Sequence, residues 1–97
     1  MIVKIHEKNS RIIVAICDDD LLGRRFEEGE KQLDLTGSFF DGKKLPDMEV
    51  GDIARNADII NFVGKKSVEF GIEEGLVEKE NIQKIKDVPF AQVVQEQ

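Results

Sequence analysis

The sequence predicts an α/β fold, with α+β as the alternative, in which a mixed sheet packs against two or three helices. Three patterns predict it: a β-branched hairpin at the start, an unbroken apolar run at residues 12–17, and helix and strand patterns that alternate after that hairpin. A chain of 97 residues holds one hydrophobic core. We therefore expect a single domain over residues 1–97.

The first seventeen residues predict two strands joined by a tight turn. β-branched and polar residues mix over residues 2–7, and Asn9-Ser10 suits the turn of a short hairpin. Residues 12–17 are apolar without alternation, which is typical of a strand covered on both faces. We expect this strand to be central, with both Ile13 and Val14 buried.

The middle of the chain predicts a helix, a strand and a second helix. Asp18-Asp19-Asp20 is typical of a helix N-terminus, and Gly29 ends that helix. Leu33 and Leu35 alternate with polar residues, which favours a short strand. Pro46-Asp47 then opens a helix whose apolar face follows helical spacing: Val50, Ile53, Ala54 and Ala57.

The last third predicts a strand, a third helix and an extended tail. Strand formers fill residues 58–63 up to Gly64, and Ser67 is the expected cap of the third helix. Residues 82–94 form one or two strands around Pro89. Since proline cannot donate to a sheet ladder, we expect it at an edge or a break.

Composition excludes several classes of function. One cysteine and one histidine form neither an internal disulfide nor a Cys/His zinc site, so we expect no cofactor and no metal. No apolar run approaches the roughly 18 residues of a membrane span, and the start lacks the order of a signal peptide. We therefore expect a cytoplasmic protein. The net charge of −6 gives no bulk attraction to nucleic acid or acidic lipid.

The acidic run after the apolar strand has two interpretations. Asp18-x-Asp20 resembles the start of haloacid dehalogenase phosphatases, in which the first aspartate attacks phosphorus and the second is the acid and base. Leu22 replaces the Thr or Val of that pattern, and the chain is short for that fold, so a helix N-terminus is favoured. Cys17 is interpreted as a buried structural cysteine. Gly64-Lys65-Lys66-Ser67 lacks the first glycine of a phosphate loop.

A glycine precedes a basic pair three times along the chain. If the fold brings these pairs together, they form a positive patch for single-stranded RNA, on which Phe39 and Phe40 would stack bases. The alternative is ordinary solvated charge. The candidate nucleic-acid-binding residues are Arg24, Arg25, Lys43, Lys44, Lys65, Lys66, Phe39 and Phe40.

An ordered set of short segments spans nearly the whole chain. They are Cys17-Asp18 with Leu21-Leu22-Gly23 and Phe26; Phe39-Phe40 with Gly42; Ala57-Asp58 with Asn61, Val63 and Gly64; Val68 and Gly75; and Val88-Pro89 with Ala91-Gln92-Val93. Their order and spacing resemble the small archaeal domain-of-unknown-function family 424. The chain departs from that pattern at Phe40-Asp41, where the family often has Tyr and Gly, and at Phe90, where it often has His.

The resemblance implies an archaeal, cytoplasmic protein of no established activity, with RNA binding or a link to translation as the expected role. The first function hypothesis is therefore a non-catalytic RNA-binding or translation-associated module, with RNA or a translation component as partner. The alternative is an acidic protein-interaction module that uses the predicted first helix. A metal-dependent phosphotransfer enzyme at Asp18 and Asp20 is the third hypothesis, and no catalytic residue is assigned.

Overall fold

A computed structural model describes residues 1–95 and places eight strands and two α-helices within them. The strands are β1 (Ile2–Lys8), β2 (Arg11–Cys17), β3 (Arg25–Glu28), β4 (Lys31–Asp34), β5 (Lys43–Lys44), β6 (Ile59–Val63), β7 (Gln83–Ile85) and β8 (Val88–Val94). The helices are α1 (Asp47–Arg55) and α2 (Lys65–Glu73), and short 3₁₀ turns cover Asp19–Leu21 and Lys79–Asn81. Neither the helices nor the turns of this part of the chain are long and apolar enough to cross a bilayer.

Six strands form one mixed sheet in the order β5-β1-β2-β6-β8-β7. β2 and β6 run parallel, and the other neighbours in this sheet are antiparallel. β3 and β4 form a separate two-stranded hairpin. The prediction of a mixed sheet with flanking helices is confirmed, and β2 occupies the central position that its apolar sequence predicts.

The predicted N-terminal hairpin is present. β1 and β2 pair in continuous register from Ile2 opposite Cys17 to Lys8 opposite Arg11. The two turn residues, Asn9 and Ser10, have φ of 52° and 65°. Positive φ at both central positions matches the twist of the flanking strands, which is the geometry of a two-residue hairpin turn.

Two hydrophobic cores lie on opposite faces of the large sheet because strand side chains alternate between faces. On one face, β2 and β6 pack against both helices through Val14, Ile16, Ile60, Phe62, Val50, Ala54 and Val68. On the other face, the strand ends pack under the β3–β4 hairpin and the segment after it, through Ala15, Cys17, Val63, Leu21, Leu35 and Phe40. The sheet is therefore the middle of three layers.

The predicted helix from the aspartate run to Gly29 is wrong. Only Asp19–Leu21 makes a 3₁₀ turn, after which Gly23 has φ of +85° and the chain enters β3. The amide of Gly23 donates to the carbonyl of Leu35 at 2.8 Å, and the amide of Leu35 donates to the carbonyl of Arg24 at 2.9 Å. The apolar Phe26 lies between two charged residues, Arg25 and Glu27. This alternation is typical of a strand, and the partner strand, β4, follows directly in the chain.

Two predictions in the last third of the chain also need correction. Ser67 does not cap α2, which begins at Lys65 directly after Gly64. Pro89 lies in β8, an interior strand between β6 and β7, rather than at an edge or a break. The proline is accepted there because its nitrogen lies opposite Gly64, just after β6 has ended, and the carbonyl of Gly64 already accepts the amide of Val68 in α2. No ladder partner is lost at that position.

The two residues expected to be buried in β2 differ. Val14 is fully buried against the helices, whereas Ile13 is only half-buried on the opposite face. The second core ends at Ala15, so the sheet beyond it toward the hairpin turn is uncovered. The prediction that both residues are buried is therefore wrong for Ile13.

Truncation in β2 should separate the two faces. Ile16→Ala removes a side chain of 0% exposure from the helix-covered core, and it should lower the free energy of unfolding by about 2–5 kcal/mol. Ile13→Ala should cost less than half of that, because its side chain is already partly in water. Urea denaturation of both variants measures the difference, and equal losses would contradict the uncovered face.

Candidate functional site

The carboxylate of Asp18 caps α2 from the end of β2. Its Oδ2 accepts the amide of Lys66 at 3.1 Å, and its Oδ1 accepts both the amide and the hydroxyl of Ser67 at 2.8 Å. Asp18 is only 7% exposed. Three donors and the positive end of the helix thus compensate a buried negative charge.

Gly64 gives the carboxylate of Asp18 room to approach the helix. Gly64 has φ of +107°, and a Cβ at this position would stand 2.3 Å from Cγ of Asp18. Any other residue would both strain the backbone and displace the carboxylate. The glycine before the third basic pair therefore has a structural reason that does not involve the lysines.

A cleft of about 840 Å³ opens at the carboxyl ends of the parallel strands β2 and β6. Clefts in this position commonly bind ligands in open α/β sheets. Lys44, Lys65 and Lys66 lie along it, and so do seven carboxylate residues: Asp18, Asp19, Asp20, Asp47, Glu69, Glu73 and Asp87. The cleft is therefore more acidic than basic.

The positive charge of Lys44 is already paired with a carboxylate of the cleft, that of Asp19. Its Nζ lies 2.8 Å from Asp19, and the amino group of Met1 lies 3.1 Å from the same carboxylate. Hydrogen bonding from Lys44, and then from the amino group, lowers the pKa of Asp19. The side chains of Lys44 and Asp19 are both exposed, so their ion pair contributes little to the stability of the fold.

The structure brings together the third basic pair and one lysine of the second, whereas the first pair lies apart from them. Lys44, Lys65 and Lys66 share the cleft. Arg24 and Arg25 do not line it, because Arg25 begins β3, on the opposite side of the sheet, and Arg24 directly precedes that strand. Arg25 pairs with Glu27, and the guanidinium of Arg24 lies 4.9 Å from the ring centre of Phe26.

Of the two predicted stacking residues, only Phe39 is accessible. Phe40 is 7% exposed and belongs to the second core, so it is unavailable to a base. Phe39 is 40% exposed and stacks on His6, with ring centres 4.7 Å apart and planes 11° from parallel. The Nε2 atom of His6 also lies 2.9 Å from the carbonyl oxygen of Phe39.

His6 places the Phe39 ring beside an uncovered part of the sheet, which we call the open sheet face. Cross-strand register sets two rows on it: His6, Ile13, Ile59 and Val94 in one, and Lys4, Asn61 and Gln92, on either side of buried Ala15, in the other. Lys8 and Arg11 extend the face toward the hairpin turn. All nine residues of the open sheet face are half-buried or exposed.

The open sheet face carries uncompensated positive charge. Lys4, Lys8 and Arg11 form no ion pair within residues 1–95, and none of the nine residues of the face is a carboxylate. Lys8 lies directly opposite Arg11, a like-charge arrangement that destabilises a strand pair. Sequence reasoning missed these cations, although the period-two pattern Lys4, His6, Lys8 of the first strand was a signal for them.

The phosphotransfer hypothesis conflicts with the position of Asp18. Both oxygens of its carboxylate accept hydrogen bonds from α2, so an attack on phosphorus would first have to break the cap. Within the described residues, no three carboxylate, histidine or cysteine side chains are grouped to hold a metal ion.

Cys17 is buried at the end of β2, as predicted, with 0% exposure. Burial, followed by the negative charges of Asp18 and Asp19, raises the pKa of its thiol to about 11. The thiol is therefore protonated at neutral pH, which suits a core residue rather than a nucleophile.

The fold and surfaces define a small α+β domain with a mixed sheet, covered on one face by helices and half open on the other. The family model described as "Protein of unknown function (DUF424)" matches residues 6–95, and the chain belongs to this family. No curated protein matches the sequence. The crystal structure of an uncharacterized conserved protein from Methanopyrus kandleri is similar with a TM-score of 0.78 and 21% identity, over 99% of this chain and 94% of that one. The archaeal structure supports the fold.

Removing the Asp18 carboxylate should destabilise the protein more than an ordinary surface change. Asp18→Ala leaves three donors, two of them buried, without their acceptor and should lower the free energy of unfolding by about 2–4 kcal/mol. Asp18→Asn keeps an acceptor oxygen and should lower the free energy of unfolding by about 1 kcal/mol. The control, Asp20→Ala, changes an exposed residue and should stay within about 0.5 kcal/mol. Denaturant midpoints that agree for Asp18→Ala and Asp20→Ala would refute the cap.

The Cys17 thiol should be unreactive while the protein is folded. Iodoacetamide at mildly alkaline pH should leave it unmodified, because the pH stays well below its pKa of about 11 and the sulfur is buried. The same reagent should alkylate the chain completely in concentrated urea. Mass spectrometry measures both, and rapid alkylation without urea would argue against this core position.

Proposed function

We propose that this protein is a non-catalytic module that binds single-stranded RNA across the open sheet face. The observation that carries the proposal is the set of cations on that face, Lys4, Lys8 and Arg11, which form no ion pair within residues 1–95 and lie beside the half-exposed ring of Phe39. Proteins that bind single-stranded nucleic acid usually combine positive charge along the nucleic-acid backbone with aromatic side chains on which the bases stack.

Charge favours the sheet over the cleft as the binding surface. None of the nine described residues of the open sheet face is a carboxylate, and a phosphate there would relieve the repulsion between Lys8 and Arg11. A phosphate near Lys65 and Lys66 would approach the carboxylates that line the same cleft. The proposed partner is an RNA, including RNA that forms part of a translation component, and the proposed location is the cytoplasm.

The alternative, an acidic protein-interaction module, loses its predicted helix because residues 25–34 form a hairpin. The acidic residues that the fold does gather lie in the cleft, whose residues give the matched controls for the RNA experiment.

The test is a binding titration of a uridine-rich RNA of about ten nucleotides, within the range of single-strand sites. Each phosphate contact contributes roughly −0.7 to the slope of log affinity against log salt, so three cations predict a slope of about −2. Lys8→Glu/Arg11→Glu keeps a like-charge pair opposite each other and so perturbs the hairpin little. It should weaken binding roughly tenfold and flatten the slope to about −0.7.

Two control variants carry the same change of charge in the predicted basic pairs. Lys65→Glu/Lys66→Glu and Lys43→Glu/Lys44→Glu should leave affinity within about twofold. Lys44, Lys65 and Lys66 lie along the cleft, and Lys43 lies opposite Val3, which packs in the helix-covered core. No binding by the parent protein at low salt refutes the proposed function. Loss of binding in the control variants alone would move the site to the cleft.

A further inference from the structure

The open sheet face holds an aromatic platform whose position is fixed before any ligand arrives. His6 supports the Phe39 ring from one side by parallel stacking, and Phe40 meets it edge-on with ring centres 5.2 Å apart. The contact between Nε2 of His6 and the carbonyl oxygen of Phe39 holds the backbone of Phe39 against β1, the strand that carries His6. A base that stacks on the exposed part of Phe39 therefore meets a ring that is already ordered, which reduces the entropy cost of binding.

A pair of side-chain amides lies on the same face. Nε2 of Gln92 donates to Oδ1 of Asn61 at 3.3 Å, across the neighbouring strands β8 and β6. This bond leaves the NH₂ group of Asn61 and the carbonyl oxygen of Gln92 free as a donor beside an acceptor. Neither group has another hydrogen bond within residues 1–95.

The platform and the amide pair are spaced for neighbouring bases of one strand. Asn61 lies two strands and one side-chain row away from His6, which is about 12 Å at ordinary sheet spacings. Recognition sheets of similar width hold two or three unpaired bases. The cations Lys4 and Lys8 flank the platform along β1 and can meet the phosphates of the same strand.

We propose that the open sheet face selects unpaired RNA by stacking one base on Phe39 and hydrogen-bonding the Watson–Crick edge of a nearby base with Asn61 and Gln92. This inference rests on the proposed function. Each of the four RNA bases carries a donor beside an acceptor on its Watson–Crick edge. The amide pair therefore distinguishes a free edge from a paired one and gives little discrimination among bases.

The experiment compares three probes with the parent protein: a uridine decamer, the same decamer with N3-methyluridine at every position, and a duplex of equal length. N3-methylation removes the Watson–Crick donor but leaves the base free to stack. We expect the duplex to bind at least about tenfold more weakly than the decamer, since its bases are neither splayed nor free at their edges. The methylated decamer should bind several-fold more weakly.

Variants assign the two parts of the site. Gln92→Ala, at an exposed position, should weaken binding of the uridine decamer and abolish its advantage over the methylated decamer. Phe39→Ala should weaken binding of both decamers equally, whereas Phe39→Tyr retains the stacking surface and should bind as the parent does. Melting temperatures confirm that each variant is folded.

The outcomes separate this inference from the proposed function. If the parent binds no single-stranded RNA, the proposed function fails and the inference fails with it. If the parent binds the decamer but binds the methylated decamer or the duplex equally well, only the selection of unpaired bases is refuted. A Gln92→Ala variant that keeps the full preference would likewise refute the role of the amide pair.

Discussion

The hydrogen bonds from α2 to the carboxylate of Asp18 connect the parts of this fold that the chain keeps far apart. Asp18 directly follows β2, and the amides it accepts lie in the first turn of α2, nearly fifty residues later. A buried carboxylate needs full compensation, and here helix amides and one hydroxyl provide it without a cation. The cap thereby fixes the start of α2 at the carboxyl end of the parallel strands and sets one wall of the cleft.

The size of the second layer decides which part of the sheet stays open. Both helices cover one face, whereas β3 and β4 have only four residues each and cover the strand ends near Cys17 and Val63. The cover ends at Ala15, and the next residue on that face, Ile13, is only partly buried. An apolar residue that stays partly exposed in a central strand lowers the stability of the fold. A longer β3–β4 hairpin would bury it and restore that stability. Such a surface is typical of a face that binds something else.

Local pattern predicted most of the large sheet and both helices, because their signals lie within a few residues of one another. The hairpin turn at Asn9-Ser10 and the apolar β2 are of this kind. The β3–β4 hairpin was missed because the acids of residues 18–20 suit a helix start, and the period of two around Phe26 was the weaker signal. The true cap of α2 could not be read from its own segment, since Asp18 arrives from another strand.

The contrast between the basic pairs and the open sheet face has a physical reason. Neighbouring lysines such as Lys65 and Lys66 are conspicuous in a sequence, yet the chain that folds around them brings carboxylates to the same cleft. The cations of the open face lie on alternate positions of two strands, and the antiparallel register brings Lys8 and Arg11 together. In a protein of net charge −6, carboxylates outnumber cations, so a lysine or arginine has a carboxylate nearby on most of the surface by chance. The open sheet face, whose nine described residues include three cations and no carboxylate, therefore supports the proposed anionic partner better than the number of cations in any one segment does.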